Sequence, residues 1–321
     1  VDWLTGTVPD PGGAPARRVD GATGDDLWVA HTRGEAITTD AAEAAQLVTP
    51  IDVYTTTDLT MADGGAATAT GAFSPTPADH ALQLRVDVGA WVASAIPAES
   101  QPTIACTGYS EPGAAYGVVH GFGLWTLAAD PPMVDPTVAV STLRYPHPTP
   151  ASWPEMVRCD LTFSRQINLP DLGPMRVGAR SSVDAPRADR TQIAATLPPP
   201  RQVTVAGVDV QSGFADHIDV ALDGGPVLIA WSASADASQY EVALRRLSLV
   251  NGTPVNARLA TIATASTSVA VPASLFDADT TYFLSVTAIR ATGGLPAGQL
   301  RRTGAFAHRA MNISQAFTIR K

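Results

Sequence analysis

The side chains with which this chain could do chemistry are few: six histidines, two cysteines, one turn serine and two acidic turns. The histidines are His31, His80, His120, His147, His217 and His308. No two stand at i, i+2 or i, i+4, so none of the common local zinc spacings is present. In GVVHGFGLW, His120 shares its phase with Val118, Phe122 and Leu124. A histidine on an apolar strand face is more often a hydrogen-bonded core residue than a ligand or a base. GYSEPG (108–113) opens like a nucleophile elbow around Ser110, but Pro112 stands where the closing glycine belongs. The residues after Pro112 read as a glycine-rich loop and strand, not as the helix an elbow requires. Ser110 is therefore read as a turn serine, and no catalytic residue is assigned. The acidic turns DGATGDD (20–26) and DADT (277–280) could wrap a hard cation. Neither has EF-hand spacing, so calcium is the one cofactor left open and none is otherwise expected.

Aromatic residues offer the best hint of binding. If Leu82 to Val88 face a core, Trp91 falls on the outward face. Trp125 is out of phase with Phe122 and Leu124, and Trp153 lies in a proline-flanked loop. An exposed indole can stack on a sugar ring or on a partner's side chain. Burial under loops or at a domain interface is the competing reading for all three.

Cys106 shares a phase with Ile104, and Cys159 with Val157, Leu161 and Phe163. Both thiols thus point inward if these runs are strands. Two buried thiols are one outcome. The composition suggests an exported protein, which favours a Cys106–Cys159 disulfide.

The elements that must hold these residues read almost entirely as strands. ALQLRVDVGAWV (81–92) sets Leu82, Leu84, Val86 and Val88 against Gln83, Arg85 and Asp87. LWVAH (27–31), PIDVY (50–54), TVAVSTL (137–143) and MRVGA (175–179) are shorter candidates, separated by Gly- and Pro-containing turns. TDAAEAAQLV (39–48) is the one helix candidate, with Asp40 as N-cap and Glu43 three residues on. TLPPPRQ (196–202) reads as a stiff extended linker, because three prolines fit neither a helix nor a central strand. The expected organisation is an arm (1–24), a β-sandwich of jelly-roll or immunoglobulin type (25–195), the linker (196–202) and a second sandwich (203–321). VTVAGVDV breaks phase at Gly207, which suggests a bulge.

Downstream of the linker the alternation is clearest. Val227, Ile229 and Trp231 share one face, as do Tyr240, Val242 and Leu244, and later Tyr282, Leu284, Val286 and Ala288. Residues of about 198–321 resemble a fibronectin type III domain, through I-A-W, then A-x-x-Y-x-V, then F-x-x-x-T-x-Y-x-x-x-V-x-A. The resemblance implies that Trp231 is the core tryptophan of the second strand and Tyr240 the aromatic of the third. Phe276, Thr280 and Tyr282 would be the residues around a tyrosine corner near the sixth strand. The segment is longer than usual for the family, and no Arg-Gly-Asp occurs in it. The family serves many functions, so the resemblance implies packing and not a role. The upstream region resembles no family.

Composition narrows the function class. Charged residues make up 16% and the formal net charge is −9, with no basic cluster, which argues against nucleic acid or an anionic membrane as partner. No run of 18 apolar residues exists, so no membrane-spanning helix is expected. Lys321 is the sole lysine, and with the Ala, Gly and Pro content this points to a GC-rich bacterial coding sequence. The first residue is not Met, which is read as the mark of a processed chain. The expectation is a non-catalytic exported protein, structural or interacting with a protein partner or its own copies, at the cell surface or in an extracellular assembly. The alternative is a carbohydrate-binding accessory region of a secreted hydrolase.

Overall fold

The structure is a computed structural model. It describes residues 27–38, 44–56, 70–89, 103–110, 122–129, 137–169, 173–211, 218–250, 253–291 and 307–320. The expected arm (1–24) lies outside them.

The chain is an all-β protein. Its first ten strands are β1 (Leu27–Thr38), β2 (Ala44–Thr56), β3 (Ser74–Pro75), β4 (His80–Asp87), β5 (Thr103–Ser110), β6 (Phe122–Ala129), β7 (Thr137–Tyr145), β8 (Glu155–Leu169), β9 (Gly173–Pro186) and β10 (Arg190–Ala194). The remainder are β11 (Arg201–Val205), β12 (Val208–Asp209), β13 (Asp219–Ala221), β14 (Val227–Ser232), β15 (Gln239–Val250), β16 (Thr253–Thr264), β17 (Ser268–Val271), β18 (Thr281–Ala291), β19 (Ala307–Ile313) and β20 (Phe317–Arg320).

Three sheets form among the described residues. The largest follows the order β1-β2-β6-β5-β8-β9-β19-β18-β15-β16, with β3, β13 and β20 joined at its sides. A three-stranded sheet, β10-β4-β7, covers its upstream half, and a four-stranded one, β12-β11-β14-β17, covers its downstream half. The alternation of β4 decides the upstream layer. Leu82, Leu84 and Val86 are buried while Gln83, Arg85 and Asp87 face water, the period-two pattern of a half-buried strand.

Within the segment read as a helix (39–48), residues 44–48 are strand instead. Ala45, Leu47 and Thr49 are buried in alternation along β2, which pairs with both β1 and β6. Partners on both sides outweigh the high helix propensity of Ala and Gln. Pro50 sits where the β1–β2 register shifts between His31 and Thr32, a position that tolerates a missing N–H. Gly207 does not mark a bulge either. Val205 pairs with Val208, and Ala206 and Gly207 both have positive φ (49° and 82°), so the two form a tight hairpin turn.

In the downstream half Trp231 packs edge-on against Tyr240, with centroids 5.4 Å apart. The Ser234 N–H donates to the Tyr240 hydroxyl at 3.0 Å. Tyr282 is fully buried, packs edge-on with Phe276, and its hydroxyl accepts from the Asp277 N–H at 2.7 Å. Each phenol thus buries its ring and ends on a backbone group, which avoids the cost of an orphaned buried donor.

The large sheet runs on from the upstream half into the downstream half. On β9, Ser182 and Val183 pair with Arg309 and His308 of β19. The proline segment packs against the same place: Leu197 is fully buried, and Asn312 Nδ2 donates to the Pro200 carbonyl at 2.6 Å. His308 is a neutral group here. Arg290 Nη2 donates to its Nδ1 at 2.8 Å, which needs a lone pair on that nitrogen. Burial, and then the Arg290 charge, lower its pKa from 6.5 to about 4. The unfolded chain therefore binds this proton first. Stability from neutral His308 is complete above about pH 6.5, falls as pH drops through the window to about 4, and is level below it. The expected loss across the window is about 1–2 kcal/mol, allowing for screening at a half-buried ring. Denaturation at pH 7, 5.5 and 4 for the native chain and His308→Gln measures it; equal slopes in both would refute the assignment.

Candidate functional site

Four elements converge at one end of the upstream sandwich. His80 opens β4 and lies directly opposite Tyr145, the last residue of β7. The chain then runs Tyr145-Pro146-His147-Pro148-Thr149-Pro150. Proline fixes its own φ and pushes the residue before it into extended geometry, so this segment is stiff. Tyr145, His147 and Thr149 all reach the same cluster. Glu155 opens β8, and Arg187 follows the end of β9, its N–H donating to the Glu155 carbonyl at 3.0 Å.

The Glu155 carboxylate is the hub. Its Oε1 lies 3.1 Å from His80 Nδ1 and 3.5 Å from His147 Nε2. Its Oε2 accepts from the Tyr145 hydroxyl at 2.5 Å. Arg187 Nε donates to that same hydroxyl at 3.2 Å and lies 3.9 Å from Oε2, while Arg187 Nη2 donates to the Ala81 carbonyl at 2.8 Å. The two imidazoles stack, with centroids 4.8 Å apart and planes 9° from parallel. Tyr145 is fully buried, and burial with the Glu155 hydrogen bond drives its phenol far above the ordinary range. It stays a neutral donor at any working pH. One oxygen of Glu155 is thus locked by Tyr145 and Arg187, and the other faces two histidine nitrogens.

Below this hub, Ser110 is fully buried and its hydroxyl lies 2.7 Å from that of Thr149, which is 3.4 Å from His147 Nε2. Ser110 is thus sealed from solvent, with a threonine hydroxyl between it and His147, and is not exposed as a nucleophile.

Trp125 forms the floor of the site. Expected on an outward face, it is 2% exposed and lies against the Tyr145 ring at 6.3 Å. A register shift between Gly108 and Tyr109 alters the local phase, and Gly108 leaves room for the indole: a Cβ there would lie 2.0 Å from Trp125 Nε1. Trp153 is half-buried in the loop between β7 and β8, its N–H donating to the Pro150 carbonyl at 2.9 Å. Trp91 lies outside the described residues, as do His120, His217 and the acidic turn 20–26. In the other acidic turn Asp277 accepts from Arg246 at 3.3 Å and Asp279 from Arg320 at 2.5 Å. Cys106 and Cys159 are joined in a disulfide, directly opposite each other on β5 and β8.

Sequence reasoning named His80 and His147 without joining them, and missed Tyr145, Glu155 and Arg187. The available signal was the Tyr-Pro-His-Pro-Thr-Pro run, which holds a titratable residue on rigid backbone.

No family model matches the chain, and no curated protein matches it. Among solved structures it is similar to the chicken CNTN1 FN1-FN3 domains, at 9% identity over 85% of this chain and 76% of that one. The TM-score of that overlay is 0.19, too loose to carry a fold or a role across.

Proposed function

We propose that this chain is a non-catalytic structural or interaction protein of an exported bacterial assembly, and that it works by accepting a protein strand along β1. The observation that carries the reading is the edge of the large sheet. β1 is twelve residues long, pairs with β2 alone among the described strands, and is exposed along most of its length. A long unpaired edge invites strand addition by a neighbour. The protective charges, Arg33 and Glu35, sit 3.8 Å apart in its second half. The first half carries an aromatic and apolar patch instead. Val29 opposes Tyr54, His31 stacks on Phe73 at 3.8 Å, and Phe73 approaches Tyr54 at 6.1 Å. Val29 and Phe73 are 38% and 37% exposed, unusual for apolar side chains on a well-covered sheet.

The disulfide supports an oxidising compartment outside the cytoplasm. The Trp231–Tyr240 pair and the Tyr282 corner support a type III-like downstream unit, a scaffold that presents surfaces. The carbohydrate-binding alternative loses Trp125, which is buried, and keeps Trp153 among the described indoles.

Light scattering over a concentration series, with pull-down from the source cell envelope, tests the reading. The native chain should self-associate or retain a protein partner. The double variant Val29→Lys, Phe73→Ser should weaken that association at least about tenfold, since a buried charge and a lost aromatic anchor each cost more than about 1.4 kcal/mol. A strict monomer that retains no partner and hydrolyses a glycan or peptide panel would replace this reading with an enzyme.

A further inference from the structure

We propose that His80, His147 and Glu155 form a zinc site that staples the two layers of the upstream sandwich. His80 Nδ1, His147 Nε2 and a Glu155 carboxylate oxygen all lie within 4.8 Å of one another. Zinc bonds of about 2.0–2.2 Å at tetrahedral angles put neighbouring ligand atoms roughly 3.3–3.6 Å apart. The two nitrogen-to-Oε1 separations, 3.1 and 3.5 Å, bracket the lower end of that range. The ring centroids stand 4.8 Å apart with planes 9° from parallel; since an imidazole lone pair lies in its ring plane, one ring turns about its Cβ–Cγ bond for both nitrogens to meet on one ion.

The surroundings are those of a built site. A ligating carboxylate is commonly held by hydrogen bonds from an outer shell, which fix its orientation. Glu155 Oε2 is held in this way by Tyr145, itself held by Arg187. That leaves Oε1 to face the nitrogens. Two nitrogens and one carboxylate oxygen suit zinc, whereas calcium and magnesium take oxygen ligands. The side chains of His147 and Glu155 are 8% and 14% exposed, and that of His80 is 36% exposed. The ion would therefore reach the site on the His80 side, where water can supply the fourth ligand.

The placement assigns the role. His80 lies on β4 and His147 just beyond β7, in the three-stranded sheet, while Glu155 lies on β8 of the large sheet. An ion bound by all three joins β8 to the β4–β7 pair, to which no ladder among the described strands connects it.

The full chain, stripped with a chelator and then titrated with zinc chloride in a calorimeter, tests this. One zinc per chain should bind, with a rise in melting temperature, and cobalt should give the visible absorption of a tetrahedral site. Calcium should do neither. His80→Ala and His147→Ala should each weaken zinc at least about 100-fold, and Tyr145→Phe about 10- to 100-fold. His80 is the most exposed of the three, and the melting temperature of zinc-free His80→Ala, measured beside its zinc affinity, separates a loss of folding from a loss of binding. A folded native chain that binds no zinc, or unchanged zinc binding in the His80→Ala, His147→Ala double variant, overturns the proposal.

Discussion

Trp231→Ala is expected to destabilise the protein by about 3–5 kcal/mol, the range for deleting a buried aromatic. Trp231 is 5% exposed, meets Tyr240 edge-on, and shares its face with Val227 and Ile229, both almost wholly buried. Neighbours held by strand pairing on both sides of β14 relax little into the void. Against a typical stability of about 5–15 kcal/mol, the loss is large enough to unfold a marginal chain. Trp231→Phe keeps part of the ring volume and should lose less. Urea denaturation followed by far-ultraviolet circular dichroism measures both. A loss below about 1 kcal/mol in the alanine variant would show that β14 does not rest on this side chain.

Opening the Cys106–Cys159 bond should cost about 4 kcal/mol on the chain-entropy relation, since the cysteines are 53 residues apart. The two lie at a directly paired position of β5 and β8 and are fully buried, so reductant should act slowly on the folded chain. The variant with both cysteines changed to serine should melt at lower temperature than the native chain and be insensitive to reductant. Intact mass after alkylation without reduction checks the bond itself: labelling of both thiols would exclude it. A melting temperature shared by the native and serine chains would show that the cross-link adds nothing to stability.

The two changes act at different places in the fold. Trp231 belongs to the β14–β17 layer over the downstream half of the large sheet, and the disulfide to the upstream half. Since the large sheet crosses between them at β9–β19, with one continuous apolar core beneath it, each loss should be felt beyond its own half. The expected pH sensitivity of His308 sits at that same crossing.

Sequence by itself determined which residues face inward wherever local alternation was strong. The inward sets on β4 and β14 could be read from period two alone, and Trp231, Tyr240 and Tyr282 are buried as their phase implied, but β18 is buried on both faces, Phe283, Ser285, Thr287 and Ile289 included. The inward phase of Cys106 and Cys159 was legible in the same way. Period two sets a side chain's face without reference to the rest of the chain. Three things depended on the tertiary structure. Residues 44–48 look helical in isolation and become a strand because β1 and β6 flank them. Trp125 turns inward because a register shift and a glycine on the next strand open space for its ring. His80 and Glu155 stand 75 positions apart, and no local pattern relates them. They meet because one opens β4 and the other opens β8, and the packing of one sheet on another, which local periodicity does not encode, brings those two strand ends together.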